Sequence, residues 1–311
     1  QLNNRLTMDF EKCCSIFSMR KRDTSRWGVG KLYPSPEFWS RNEATDGLHT
    51  IQIGNQLLDI LIRDRGSSTT VVTFQHRVSV RTSFPTLVGE KFTGEAGVNL
   101  IAVADPSVGL DHEVSLGWYL GNRAIGHLKP ILHPILSEAI EAFHPKRLIF
   151  FGNSGGGYAA MNYAADFPNS IALTVNPRLN LSRGQDQDWA TYMTKCHGAV
   201  GRTPYQRISS EYGINLADKI PSSAQFYAAM YHNTGDTEFL EKNHAPFVKS
   251  RSDDLNIAER LDFDGNGHVP IPKDKLIETV RKLATPSVPQ SEAMKAAGFI
   301  PPISFTSQVI G

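Results

Sequence analysis

An excess of charge of one sign is missing from this sequence. Lysine and arginine total 32 against 31 aspartates and glutamates, a formal charge of +1, so there is no field to gather a phosphate backbone or an anionic bilayer. Nucleic acid and membrane surfaces are therefore poor partners for it. Cysteine is scarce: there are 3 in 311 residues, with Cys13 and Cys14 adjacent and Cys196 far along the chain. That spacing supports neither a disulfide framework nor a paired metal knuckle, and a reducing, cytoplasmic location is the expectation. No apolar run reaches the roughly 20 residues that a bilayer-spanning helix needs. The stretch from Glu11 to Arg26 is basic and polar, without the apolar centre of a signal peptide. The chain opens on Gln1 and not on Met, which leaves a removed leading segment open.

What is present is an ordinary globular balance, 40% hydrophobic and 20% charged, on a chain long enough for one large α/β domain or two smaller ones. Residues 1–46 mix polar residues with scattered aromatics and show no sustained period, which predicts an arm or an irregular layer. From Thr50 the pattern changes. Ile51 and Ile53 alternate with polar neighbours, Gly54-Asn55 follows, and Leu58, Ile60 and Ile62 alternate again, the signature of a β-hairpin. Short apolar runs then occur at Thr70 to Phe74, Asn99 to Val103, Arg147 to Phe151, Ile171 to Val175, Gln225 to Met230 and Ala258 to Phe263. Most are separated by enough chain for the crossover helix that parallel strands require. Helices are predicted from Ile131 to Phe143, where Ile131, Ile135, Leu136, Ile140 and Phe143 share a face, and also from Gly157 to Asp166 and Lys273 to Leu283.

The predicted fold is thus α/β: an antiparallel hairpin leading into a mostly parallel sheet with helices on both faces, over 47–286. Residues 178–222 are polar but carry Trp189, Tyr192, Met193 and Tyr205 without a strand, which predicts a helical insertion in the position of a lid. Residues 287–311 form a proline-containing extension.

The chemistry concentrates at one turn. The buried-strand run Arg147 to Phe151 stops at Gly152-Asn153-Ser154-Gly155-Gly156, and the helix-like Gly157-Tyr158-Ala159-Ala160-Met161 follows at once. G-x-S-x-G between strand and helix is the context of a nucleophile elbow. The turn is tight enough to strain the serine and to exclude side chains on its neighbours. It exposes the Ser154 hydroxyl and aims the backbone N–H of Gly155 at a developing oxyanion. Two rival uses of these glycines fail. Tyr158-Ala159 stands where a phosphate-binding loop needs Lys and Ser/Thr. Gly155, Gly157 and Ala160 match a dinucleotide fingerprint, but the next strand ends at Asn176-Pro177 without the carboxylate that holds a ribose.

A serine hydroxyl needs an imidazole to take its proton, and the imidazole needs a carboxylate to fix its tautomer. The partners follow an elbow of this kind in the order acid, then histidine. Asp236 comes after the run Gln225 to Met230, and His268 lies in the turn-rich Asp264-Gly265-Asn266-Gly267-His268. Glu238, Asp262 and Asp264 are competing acids, and His232 and His244 are reserve bases. Asp262, Asp264, Asn266 and Gly267 also match the opening of a calcium loop, but its twelfth position is Lys273 in place of the bidentate Glu, so no metal is expected. For the second oxyanion donor the backbone N–H groups of His76 or Arg77, after the run Thr70 to Phe74, are the candidates. The side chain of His76 is equally open to a packing role.

On Gly152-Asn153-Ser154-Gly155-Gly156, Asp236 and Gly267-His268, the chain resembles the α/β-hydrolase superfamily from about Thr50 to Leu283. That resemblance implies acyl transfer through a serine ester with no cofactor. Families of this type place His-Gly or a glycine run where this chain has Gln75-His76-Arg77. Asp105-Pro106, Leu116-Gly117-Trp118-Tyr119-Leu120-Gly121 and Asn176-Pro177 are similar to bacterial hydrolases associated with surface-glycan assembly. The leading expectation is an esterase acting on a small-molecule or glycan ester. An acyltransferase to a sugar hydroxyl on the same residues is the alternative, and a catalytically silent binding module is a third.

Overall fold

The structure is a computed structural model that describes residues 20–40, 44–182 and 187–302. Cys13 and Cys14, most of the basic stretch from Glu11, and residues 303–311 of the extension lie outside the described residues. The hairpin consists of β2 (Gly47–Ile53) and β3 (Gln56–Arg63), which follow a short β1 (Lys31–Tyr33). Ile53 pairs with Gln56, so the predicted Gly54-Asn55 is the entire two-residue turn. The apolar runs become β4 (Thr69–Phe74), β5 (Asn99–Val103), β6 (Arg147–Asn153), β7 (Ile171–Val175), β8 (Tyr227–Asn233) and β9 (Asn256–Asp262).

These nine strands form one sheet in the order β1-β2-β3-β5-β4-β6-β7-β8-β9. Only β3 runs against its neighbours, β2 and β5, and every other pair is parallel. β1 is a difference from the sequence pattern. It joins the sheet edge in parallel to β2 with a single buried residue, Tyr33, so it shows no alternation to read.

Because side chains alternate across a strand, each central strand feeds two cores. Val72, Phe74, Phe150, Ala172, Ala228 and Met230 pack on one face, and Val71, Ile149, Phe151, Leu173, Ala229 and Tyr231 on the other. The first face is covered by two helices, one preceding β6 in the chain and one following it. α2 (Lys129–Phe143) buries Leu132, Ile135, Leu136, Ala139 and Ile140, while α3 (Gly155–Ala164) is buried along its whole length. The second face is covered by α1 (Glu90–Ala96), α6 (Lys273–Leu283) and α7 (Gln290–Ala296). Through α7 the C-terminal extension completes a core: Ala293, Met294, Ala297 and Phe299 are buried there, and Ile300 bridges to Glu259 of β9.

The predicted insertion is helical, with α4 (Gln187–His197), α5 (Arg202–Tyr212) and a turn at Leu216–Lys219. Its Tyr192, Met193, Cys196, Ile208 and Tyr212 belong to the main core, and Trp189 meets Trp118 at 5.5 Å between ring centres. Through Trp189 and Tyr192, α4 packs against Trp118 of the 114–121 loop.

Parallel registry brings the functional loops to one edge. Phe74 pairs with Gly152, Asn153 with Val175 and Val175 with Tyr231, so the segments after β4, β6, β7 and β8 all emerge from the same carboxyl end of the sheet.

Candidate active site

β6 ends at Asn153 and α3 begins at Gly155, which leaves Ser154 alone in the bend with φ 51° and ψ −115°. A non-glycine residue in that region costs about 1–3 kcal/mol and persists only where its surroundings enforce it. Here the enforcement is visible. The Ser154 N–H donates to the Val175 carbonyl at 2.9 Å, and the Ser154 carbonyl accepts from Gly157 and Arg178, both at 3.0 Å. The flanking glycines answer a steric demand. A Cβ on Gly152 would lie 1.9 Å from the Gly156 carbonyl oxygen, and one on Gly156 would lie 2.5 Å from that of Phe74.

Asp236 follows β8 and caps the short helix Thr237–Phe239, its Oδ1 accepting the Phe239 N–H at 3.3 Å. Its other oxygen, Oδ2, bonds Nδ1 of His268. The carboxylate is buried, with 5% of the Asp236 side chain exposed, whereas the imidazole is 37% exposed. In the tautomer whose Nδ1–H donates to Asp236, Nε2 is left to accept a proton. Phe239 packs against the same imidazole at 4.2 Å between ring centres.

The competing acids are engaged elsewhere. Glu238 is exposed and pairs with Lys242 at 2.8 Å. Asp262 is bound by Arg260 at 2.8 Å and by Lys275 at 3.2 Å, and Asp264 is bound by Lys275 and Tyr231. Of the reserve bases, His232 is fully buried with Nε2 3.4 Å from the Asp236 carbonyl, and His244 is buried against Glu259 at 2.7 Å. Burial, then the neighbouring His244, pushes the His232 imidazole down to about 4, so it is neutral at pH 7.

Gly155 is the first residue of α3, and its N–H has no partner inside the helix. His76 and Arg77 stand in the exposed loop after β4, and among the described residues their backbone N–H groups make no hydrogen bond. The Arg77 side chain turns outward to Asp188 of α4 at 2.9 Å. Arg178, next to the elbow, is buried with its guanidinium 5.9 Å over the Trp118 ring. Desolvation lowers its pKa, opposed by Asp188 and Glu238.

Two residues that sequence reasoning missed hold the histidine loop. Asn233 Nδ2 donates to the carbonyls of Gly265 at 2.9 Å and Gly267 at 2.8 Å, and Asn176 Nδ2 donates to that of Val269 at 2.8 Å. For Asn233 the only sequence signal is a polar residue closing an apolar strand, whereas Asn176 stands in the Asn176-Pro177 pair quoted above without a role.

Ser154, Asp236 and His268 line neither of two surface cavities. One of about 860 Å³ is walled by the Arg77–Val80 loop, Ser115 and α4. Another of about 640 Å³ lies between α2 and α5 beside Lys129 and Lys219. Among the described residues no group of three or more His, Cys, Asp or Glu is placed to hold a metal, and no helix is long and apolar enough to cross a membrane.

No protein-family model matches the chain, and no curated protein matches it in sequence. Solved structures do match in three dimensions. The capsule O-acetyltransferase of Neisseria meningitidis serogroup A superposes with a TM-score of 0.57 at 16% identity, over 76% of this chain and 94% of that one. Puromycin hydrolase gives 0.54 at 15% identity, over 76% of this chain and 38% of that one. A glycosylation-associated protein complex from Streptococcus agalactiae gives 0.52 at 15% identity, over 74% of this chain and 45% of that one. With strand order, crossover helices and these superpositions in agreement, the chain has the α/β-hydrolase fold.

Proposed function

We propose that the protein is a serine hydrolase that cleaves a carboxylic ester through a covalent acyl-enzyme. Ser154 Oγ attacks the ester carbonyl carbon while Nε2 of His268 takes the hydroxyl proton. Asp236 holds the imidazole in the tautomer that can do so and stabilises its protonated form. The tetrahedral oxyanion is met by the backbone N–H of Gly155 with that of His76 or Arg77. Collapse breaks the bond to the alcohol, which leaves with the proton from His268. Water, deprotonated by the same imidazole, then attacks the acyl-serine, releasing the carboxylic acid and restoring Ser154. The scheme calls on no cofactor.

The observation that carries this reading is the pairing of His268 Nδ1 with the buried Asp236 carboxylate. That pair belongs to the same sheet end as the strained Ser154 bend. A fluorophosphonate probe is expected to label Ser154, and Ser154→Ala is expected to abolish both labelling and hydrolysis of p-nitrophenyl acetate. Parent-rate hydrolysis by that variant would remove the proposal.

A second reading is favoured by two of the superposed structures, a capsule O-acetyltransferase and a glycosylation-associated protein complex. Here the same acyl-serine passes its acyl group to a sugar hydroxyl instead of to water. Product analysis with an added oligosaccharide acceptor separates the two: acylated sugar supports transfer, and free acid alone supports hydrolysis.

A further inference from the structure

The loop after β4 has no glycine to fold it toward the elbow, so something else must set its path. Its first residue, Gln75, donates its backbone N–H to the Tyr119 hydroxyl at 2.7 Å, and that hydroxyl donates to the Val103 carbonyl at 2.7 Å. Phe74 and Val103 are paired in the sheet, so one oxygen atom ties the ends of β4 and β5 together. The Tyr119 N–H donates to Oδ2 of Asp105 at 2.8 Å, and the Asp105 N–H donates to Oε1 of Gln75 at 3.2 Å. Gln75, Tyr119 and Asp105 thus close a cycle in which each backbone N–H is held by the next side chain. All three are completely buried.

Reaching this arrangement distorts the chain. Trp118 and Tyr119 are consecutive residues in the left-handed region, with φ 51° and 57°, a conformation that side chains disfavour and that surrounding structure must enforce. The Tyr119 ring is seated edge-on against Phe74 at 4.9 Å. On its far side the clamped segment abuts the elbow, since a Cβ on Gly156 would fall 2.5 Å from the Phe74 carbonyl oxygen and 2.8 Å from that of Gln75. No slack remains between the cycle and the start of α3.

Resting on the serine-hydrolase reading, we infer that Tyr119 is the positioning residue of the oxyanion loop, doing through one hydroxyl what a glycine run does elsewhere. The Gln75 N–H is spent on Tyr119 and is no oxyanion donor. The donor comes from His76 or Arg77, and its direction is inherited from the fixed Gln75 peptide. The paired segments Asp105-Pro106 and Leu116–Gly121 acquire a shared purpose, to deliver the carboxylate and the phenol that complete the cycle.

Tyr119→Phe removes the oxygen and keeps the ring. Tyr158→Phe is the control: it deletes another buried hydroxyl, bonded at 2.8 Å to the Gly213 carbonyl, without touching the cycle. The readout is fluorophosphonate labelling of Ser154, separated into its limiting rate and its half-saturating concentration, alongside kcat and KM for p-nitrophenyl acetate. For Tyr119→Phe the limiting rate and kcat are expected to fall about tenfold or more, a part of the roughly 10²–10³-fold that one oxyanion donor is worth, with half-saturation and KM within about threefold. Tyr158→Phe is expected to keep both rates within about twofold. A folded Tyr119→Phe protein, judged by Tm, that labels at the parent rate overturns the inference and leaves the hydrolase reading standing. Equal rate losses in both variants also overturn it. A parent protein that is never labelled at Ser154 overturns the reading and this inference with it.

Discussion

The side-chain oxygen of Asn176 accepts the backbone N–H of Asn233 at 2.7 Å, joining the residue that follows β7 to the last residue of β8. Both are fully buried, and both use their side chains on the loop that carries His268, with Asn233 Oδ1 also accepting the Gly235 N–H at 3.2 Å. Asn233 Oδ1 accepts the Asp264 N–H at 2.9 Å while its Nδ2 holds two carbonyls of that loop, and Asn176 holds a third at Val269. Removing Asn233 would break three hydrogen bonds to part-buried backbone groups of that loop, each contributing about 0.5–1.5 kcal/mol. Asn233→Ala is expected to lose about 2–4 kcal/mol of stability in urea unfolding and to lower kcat about tenfold or more, because the imidazole is no longer held in place. A variant that loses stability while keeping kcat would show that the loop does not depend on this residue.

The glycines of the elbow differ in what they face, so alanine substitution should rank them. A Cβ on Gly152 meets backbone at 1.9 Å and one on Gly156 meets backbone at 2.5 Å, neither of which can yield. On Gly155 it meets the Leu116 side chain at 2.3 Å, whose rotamers can shift. Gly152→Ala and Gly156→Ala are expected to yield little folded protein or to cost about 3 kcal/mol or more, and Gly155→Ala about 1–2 kcal/mol. Soluble yield and Tm of the three proteins check the order, and a Gly152→Ala protein as stable as Gly155→Ala would refute it.

Local pattern carried much of the fold in this chain, and long-range pairing carried what was hidden. The Gly54-Asn55 turn, the β4 to β7 runs and the α2 stripe are written in neighbouring residues, and the observed elements coincide with them within a residue or two. β8 is displaced because its last residues are Tyr231, His232 and Asn233, which are buried yet end the apolar run as read. The start of α3 is hidden by three successive glycines, poor helix formers whose placement is dictated by close contacts with Phe74, Leu116 and Pro177. Ser154, Asp236 and His268 could be nominated from spacing. The choice among four carboxylates could not, because it rests on which one faces the imidazole across 32 residues. Asn233 and Tyr119 were illegible for the same reason, each acting on backbone about 30 or more residues away.

Charge and partner assignments separate three of the four acids experimentally. Asp236→Asn keeps the size of the side chain but removes the charge that orients and stabilises the imidazole, and is expected to lower kcat about 10³–10⁴-fold. Glu238→Gln removes only an exposed pairing with Lys242 and is expected to leave kcat within about twofold. Asp264→Asn disturbs the anchor to Lys275 and Tyr231 and is expected to fall between them. Steady-state kinetics on the three proteins would overturn the assignment if Glu238→Gln were the more damaging change.

Acid should weaken the fold through His232. Its imidazole lies at about 4 against an ordinary 6.5, with burial as the largest cause. Between those values the unfolded chain takes up a proton that the folded protein refuses, so this group's contribution is intact above about pH 6.5 and fades as the pH falls toward 4. Asp105 works in the opposite sense. Desolvation raises it to about 6 from 3.8, so the folded state binds a proton first and gains stability as the pH falls through that interval. The two effects partly cancel in the parent protein, and a difference measurement isolates one of them. The stability advantage of the parent over His232→Gln is expected to shrink by on the order of 1–2 kcal/mol between pH 7.5 and 4.5, read from urea unfolding at each pH. An advantage that stayed constant across that range would mean that His232 binds its proton in the folded protein as readily as in the unfolded chain.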